Sequence, residues 1–143
     1  MAAVSANPQI SGNPLKPHTT SDHFELSQRF YFEAAHTLSR TIDAQGSRQI
    51  HGHTYDAEIS LTGQRDPASG MVLDLAYVRH EIERVRAMLD HHFLDDITGL
   101  GPATLENLCL FIKEQLVPTI GQLSAVTICR RASGDRCTLR LKA

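Results

Sequence analysis

The chain is poor in the features that cross-link a protein, anchor it in a bilayer or draw it to a polyanion. Its three cysteines, Cys109, Cys129 and Cys137, are an odd number without CxxC spacing. That argues against a disulfide framework and against a thiolate metal cluster. Cys109 lies among Leu108, Leu110 and Phe111 and reads as a small buried hydrophobe. No apolar run approaches the roughly 20 residues needed to span a bilayer. The N-terminus lacks a basic region followed by an apolar block, so no secretion signal is read and the cytoplasm is the default location. A net charge of −2 gives no reason to expect a nucleic-acid or membrane partner. No internal repeat is present.

What remains is ordinary material for a single domain: 143 residues, 41% apolar and 21% charged. That length buries a proper core without staples. Residues 1–22 are rich in Ala, Ser, Asn, Pro and Thr without periodicity and read as a disordered leader, leaving 23–143 as one folded domain. From about His23 to Leu38 the chain is aromatic and largely alternating, as a strand requires. Thr37–Ile50 is polar, contains Gly46 and reads as a loop. The following run alternates cleanly, with His51, His53, Tyr55, Ala57, Ile59 and Leu61 on one face.

Asp74 can cap a helix running to about Leu89, with Leu75, Val78, Ile82, Val85 and Leu89 at helical spacing. Thr104 can cap a second helix through Leu116. Strands near Ser124–Arg131 and Arg136–Lys142, joined by a Ser-Gly-Asp turn, read as a hairpin. The order ββααββ predicts an α+β fold, an antiparallel four-stranded sheet with both helices on one face.

Eight histidines are the unusual feature. His51 and His53 are two residues apart on a strand, so both imidazoles leave the same face, and Gly52 lets another backbone come close. His36 closes the preceding strand, and a hairpin-like pairing could bring it beside them. Three neutral imidazoles suit zinc and leave a fourth position open for substrate or water. Spacing alone leaves a second possibility open, a pair of hydrogen-bonded surface histidines. A further cluster, Asp90-His91-His92, sets a carboxylate beside a histidine. That arrangement can fix a tautomer for acid–base work or simply complement a helix C-terminus. His18, His23 and His80 read as structural or solvated.

These motifs occur together in a known order. Phe32-Glu33-Ala34-Ala35-His36, His51-Gly52-His53-Thr54-Tyr55, Gly70-Met71-Val72-Leu73-Asp74-Leu75, Leu89-Asp90-His91-His92-Phe93-Leu94 and Thr104-Leu105-Glu106-Asn107 closely resemble the 6-pyruvoyl-tetrahydropterin and 6-carboxy-tetrahydropterin synthase family. The resemblance spans about residues 24–142. It implies the T-fold, whose sheets close into a barrel in a homo-oligomer, commonly a hexamer of two stacked trimers. It implies zinc on His36, His51 and His53, a proton-relay pair in Asp90 and His91, and a pterin-lining segment at Thr104, Glu106 and Asn107. The substrate it implies is dihydroneopterin triphosphate. The carboxy-forming branch also releases a two-carbon aldehyde and feeds 7-deazaguanine (queuosine) synthesis in bacteria.

Two positions depart from the family pattern. Ser47 stands where the family has a catalytic cysteine, and a serine hydroxyl is a far poorer base than a thiolate. Arg130 stands where the family has a pterin-anchoring glutamate, and a guanidinium has donors only. Either the alignment slips locally, or Asp135 or Glu106 anchors the ring, or the ligand is not an ordinary pterin. The residues therefore leave three readings open: a synthase of the family type, a divergent enzyme on another pterin- or purine-like compound, and a non-catalytic zinc- and ligand-binding paralogue.

Overall fold

The computed structural model describes residues 21–142. The reading of 1–22 as a leader, and with it His18, lies outside the described residues except at positions 21 and 22. The elements follow as β1 (Phe24–His36), a short α1 (Ala44–Arg48), β2 (His51–Gly63), α2 (Leu75–Leu89), a 3-10 turn (Leu94–Asp96), α3 (Leu105–Leu116), β3 (Leu123–Arg130) and β4 (Asp135–Arg140). The five-residue α1 falls in the stretch read from sequence as loop. It is too short to show helical periodicity, and its stability comes from the contacts around it rather than from propensity.

The four strands form one antiparallel sheet in the order β1-β2-β3-β4. Alternation decides its faces. Phe32 from β1, Tyr55, Ile59 and Leu61 from β2, and Val126 and Ile128 from β3 are all buried and share one face by register. On the other face Arg29 pairs with Glu58 across β1 and β2, and the Thr127 and Thr138 hydroxyls bond each other across β3 and β4.

The two long helices cover the apolar face. Asp74 caps α2 by accepting from the Ala76 N–H, and Thr104 caps α3 by accepting from the Asn107 N–H, as expected of these side chains. Val78, Ile82, Val85 and Leu89 of α2, and Leu108, Cys109, Phe111, Ile112 and Leu116 of α3, are buried. Helix α2 packs on β1, α3 packs on β3 and β4, and the helices touch each other. Buried Glu81 of α2 accepts bonds from the Thr119 hydroxyl and Arg84. Among the described residues, no helix is long and apolar enough to cross a membrane.

The segment after α2 positions chemistry. It runs along the outer edge of β1, where the His91 N–H donates to the Glu33 carbonyl at 2.6 Å and the Ala35 N–H donates to the His92 carbonyl at 3.2 Å. Asp95 then accepts from the backbone N–H and hydroxyl of Thr37. The end of β1 is thus held from both sides. Ile59, fully buried on a central strand, tests this packing: Ile59→Ala should cost about 2–5 kcal/mol, read as a lower denaturant midpoint at unchanged slope. A loss below about 1 kcal/mol would contradict tight helix-on-sheet packing.

Candidate metal centre and its surroundings

Register brings the three histidines together. In the β1–β2 pair His36 lies opposite His51, Ala35 opposite Gly52 and Ala34 opposite His53, so all three imidazoles leave the face that carries Phe32 and Tyr55. A Cβ at Gly52 would sit 3.3 Å from the Ala34 carbonyl oxygen, so glycine permits the close approach of the two strands. One ligating atom from each of His36, His51 and His53 lies within 4.8 Å of the others. The Nε2 atoms of His36 and His53 are 3.1 Å apart. Tetrahedral zinc, with Zn–N near 2.0–2.1 Å, spaces its nitrogen ligands by about 3.3 Å, so the arrangement fits one ion shared between them.

The surroundings favour the neutral, metal-accepting form. His51 Nδ1 donates to the Gln49 carbonyl at 2.8 Å, which leaves Nε2 free to ligate. His36 is fully buried. Burial, followed by the neighbouring His51 and His53, pushes its pKa down to about 4. His53 is also lowered, by burial first and then by Arg130. The buried His36 Nδ1 has no partner among the described residues.

His51 and His53 open onto a cavity of about 330 Å³ also lined by Arg40, Asp43, Ser47, Arg130 and Asp135. Ser47 is buried, and its hydroxyl donates to the Ala44 carbonyl at 3.2 Å. Arg130 pairs with Asp135 at 2.8 Å. Tyr55, beside His53 at 5.6 Å between ring centroids, is fully buried with no partner for its hydroxyl among the described residues. Burial drives its pKa up to about 12.

His91 looks onto a different cavity, of about 520 Å³, with Glu33, Thr54 and Phe93. Among the lining residues His53 alone belongs to both cavities. Asp90 Oδ1 accepts from the Glu33 N–H at 2.9 Å, and Oδ2 lies 2.9 Å from His91 Nδ1. The Glu33 N–H first, and then His91, hold the Asp90 carboxyl below its usual range. With Nδ1 engaged, His91 offers Nε2 from a ring that is 76% exposed. Its backbone is left-handed, φ 57°, an uncommon conformation for a non-glycine residue.

Thr104, Glu106 and Asn107 begin α3. None lines either cavity, and Asn107 Nδ2 donates to the Pro102 carbonyl. Sequence reasoning missed Arg40 and Asp43, which the loop after β1 brings to the histidines. Nothing in their spacing marked them, although an aspartate is among the residues that tolerate the left-handed conformation Asp43 adopts (φ 54°).

Residues 25–141 match the family model for 6-pyruvoyl tetrahydropterin synthase. The chain belongs to this family. Human 6-pyruvoyl tetrahydrobiopterin synthase is 30% identical over 120 residues, covering 73% of this chain and 83% of the human protein. The 6-carboxy-5,6,7,8-tetrahydropterin synthase of Synechocystis sp. is 28% identical over 118 residues, covering 76% of this chain and 89% of that protein. The structure of Caenorhabditis elegans 6-pyruvoyl tetrahydropterin synthase aligns with a TM-score of 0.73 at 28% identity, over 85% of this chain and 97% of that one. The Plasmodium vivax enzyme aligns at TM-score 0.67 and 20% identity, over 85% of this chain and 99% of that one, a likeness of fold alone. The α+β T-fold and the family read from the sequence both stand.

The burial of neutral His36 has a consequence for stability. Its pKa is near 4 when folded and near 6.5 when unfolded, so between those values the unfolded chain binds more protons. Metal-free protein should therefore lose stability as the pH falls from about 6.5 to 4, on the order of 1–3 kcal/mol from this group. Thermal melts across that window should show a steeper fall for the wild type than for His36→Gln. Identical slopes would contradict a buried, neutral His36.

Proposed function

We propose that the chain is a zinc-dependent lyase of the 6-carboxy-5,6,7,8-tetrahydropterin synthase type, acting in the cytoplasm on dihydroneopterin triphosphate. The observation that carries this reading is the convergence of three imidazoles beside a cavity of ligand size. His36, His51 and His53 would hold the metal. Zinc bound there supplies Lewis acidity toward a substrate oxygen at its open position.

The chain's own groups supply the rest. His91, oriented by Asp90 through Nδ1, takes up and returns a proton at Nε2. The Ser47 hydroxyl donates its hydrogen bond to the Ala44 carbonyl, and Ser47 is assigned to hold α1 against the cavity rather than to act as a base. Arg130 faces the substrate. Within one chain His91 and the metal-site imidazoles line cavities that share only His53, and His91 is exposed. We therefore read the working protein as a homo-oligomer, a hexamer of two trimers, in which one subunit's Asp90–His91 pair reaches the cavity of the next. Thr104, Glu106 and Asn107 would line the ligand in that assembly.

A second reading, a zinc- and heterocycle-binding protein without turnover, draws on the engaged Ser47 hydroxyl. One experiment separates the two: incubate zinc-loaded protein with dihydroneopterin triphosphate and identify the products by mass spectrometry. The enzyme reading expects 6-carboxytetrahydropterin above metal-free controls. It also expects His91→Ala to lower the rate at least about 100-fold with zinc content unchanged, and Ser47→Ala to lower it less than about 10-fold. Substrate returned unchanged by the wild type would favour the binding protein. Equal losses in the two variants would overturn the assignment of His91 as the base.

A further inference from the structure

Arg130 and Asp135 are direct register partners at the turn of the β3–β4 hairpin, so their side chains share one face of the sheet. That face also carries Tyr55 and the three imidazoles, and both residues line the cavity of about 330 Å³ with His51 and His53. The volume lies in the roughly 300–1,000 Å³ range of small-molecule pockets. A single cation or carboxylate there would present hydrogen-bonding groups of one kind only. The pair presents both kinds side by side.

The pair is built to stay in place. Arg130 Nη2 donates to Asp135 Oδ2 at 2.8 Å, and the Ser133 hydroxyl donates to the same oxygen at 2.8 Å. The Gly134 N–H donates to the Arg130 carbonyl at 2.9 Å and closes the turn between them, at a glycine with φ +76°. The Arg130 side chain is only 12% exposed, against 49% for Asp135. Arg130 Nε is buried without a partner among the described residues. A guanidinium has five N–H donors, and a carboxylate keeps a second oxygen when the first is engaged. Arg130 and Ser133 both bond Asp135 through Oδ2, so Oδ1 is the oxygen that can accept from a ligand.

Adjacent donor and acceptor groups complement a ring edge on which a carbonyl sits next to an N–H, that is, a cyclic amide. Resting on the reading of this cavity as the heterocycle site, we propose that the Arg130–Asp135 ion pair is the specificity element. Arg130 donates to the ring carbonyl while Asp135 accepts from the neighbouring ring N–H. A ring with an amino group in place of that carbonyl would set a donor against the guanidinium, and an unmatched buried donor is costly.

The test is equilibrium binding to zinc-loaded protein, near neutral pH, of two fluorescent rings, pterin and 2,4-diaminopteridine, which differ at the carbonyl and at the ring N–H beside it. Neither carries a side chain or triphosphate, so binding is read without turnover. Wild type should bind pterin at least tenfold more tightly than the diamino ring. Arg130→Met should narrow the preference at least several-fold, because the donor that distinguishes a ring carbonyl from an amino group is then gone while Asp135 still accepts from the pterin ring N–H. Asp135→Asn should weaken pterin binding at least tenfold. Should Arg130→Met fail to fold, the wild-type preference and Asp135→Asn decide the matter. Equal or tighter binding of the diamino ring by the wild type would overturn the proposal, as would an unchanged pterin preference in Arg130→Met or unchanged pterin affinity in Asp135→Asn. A ring preference as expected without conversion of dihydroneopterin triphosphate would leave this assignment standing and defeat only the proposed reaction.

Discussion

The pairing of β1 with β2 is the constraint from which the site follows. Side chains alternate with a period of two, so a slip of one residue would turn one strand's set to the opposite face. His36 would then no longer share a face with His51 and His53. The register is secured by packing that runs from beside the imidazoles along the length of the strand pair. Phe32 stacks on Tyr55 with ring centroids 5.0 Å apart, and Phe30 lies opposite Ala57 and Leu26 opposite Leu61. The segment around His91–Phe93 bonds the free edge of β1 near its end. The core thus fixes the positions of the ligating atoms, and ordering them costs little when an ion binds.

The second theme is backbone held in an unfavourable conformation where chemistry is placed. Asp43 and His91 are the positive-φ non-glycine residues among those described, and each lines one of the two cavities. Left-handed geometry costs an L-residue about 1–2 kcal/mol, and it persists where surrounding bonds over-determine it. The Asp43 carbonyl accepts from the Ser47 N–H at 3.0 Å, and the His91 N–H donates to Glu33 at 2.6 Å. These bonds hold the loop against His51 and set His91 at the edge of β1.

Much of this was legible in the residues. Alternation in β1 and β2 and the apolar stripes of α2 and α3 are strong periodic signals. The caps Asp74 and Thr104 and the hairpin glycine act locally, so their positions were readable too. His51 and His53 declared a shared face by spacing alone, whereas His36 required the strand register that tertiary packing supplies. Helix α1 was hidden because five residues carry no period. Arg40 and Asp43 were hidden because a loop's path is set by what it packs against. Asp135 could be raised as a carboxylate for the ring, but its union with Arg130 depends on hairpin register. The placing of His91 and His51 on two cavities that meet at His53 is likewise a property of the folded sheet, to which no local pattern points.

The central claim is that His36, His51 and His53 together hold one zinc ion with a position left open. X-ray absorption at the zinc edge of the purified, zinc-loaded protein tests it most directly. The account predicts about three imidazole nitrogens near 2.0–2.1 Å and one further light atom, with imidazole scattering diminished in His51→Ala. A sulfur ligand near 2.3 Å, or an oxygen-dominated shell unchanged in His51→Ala, would contradict it.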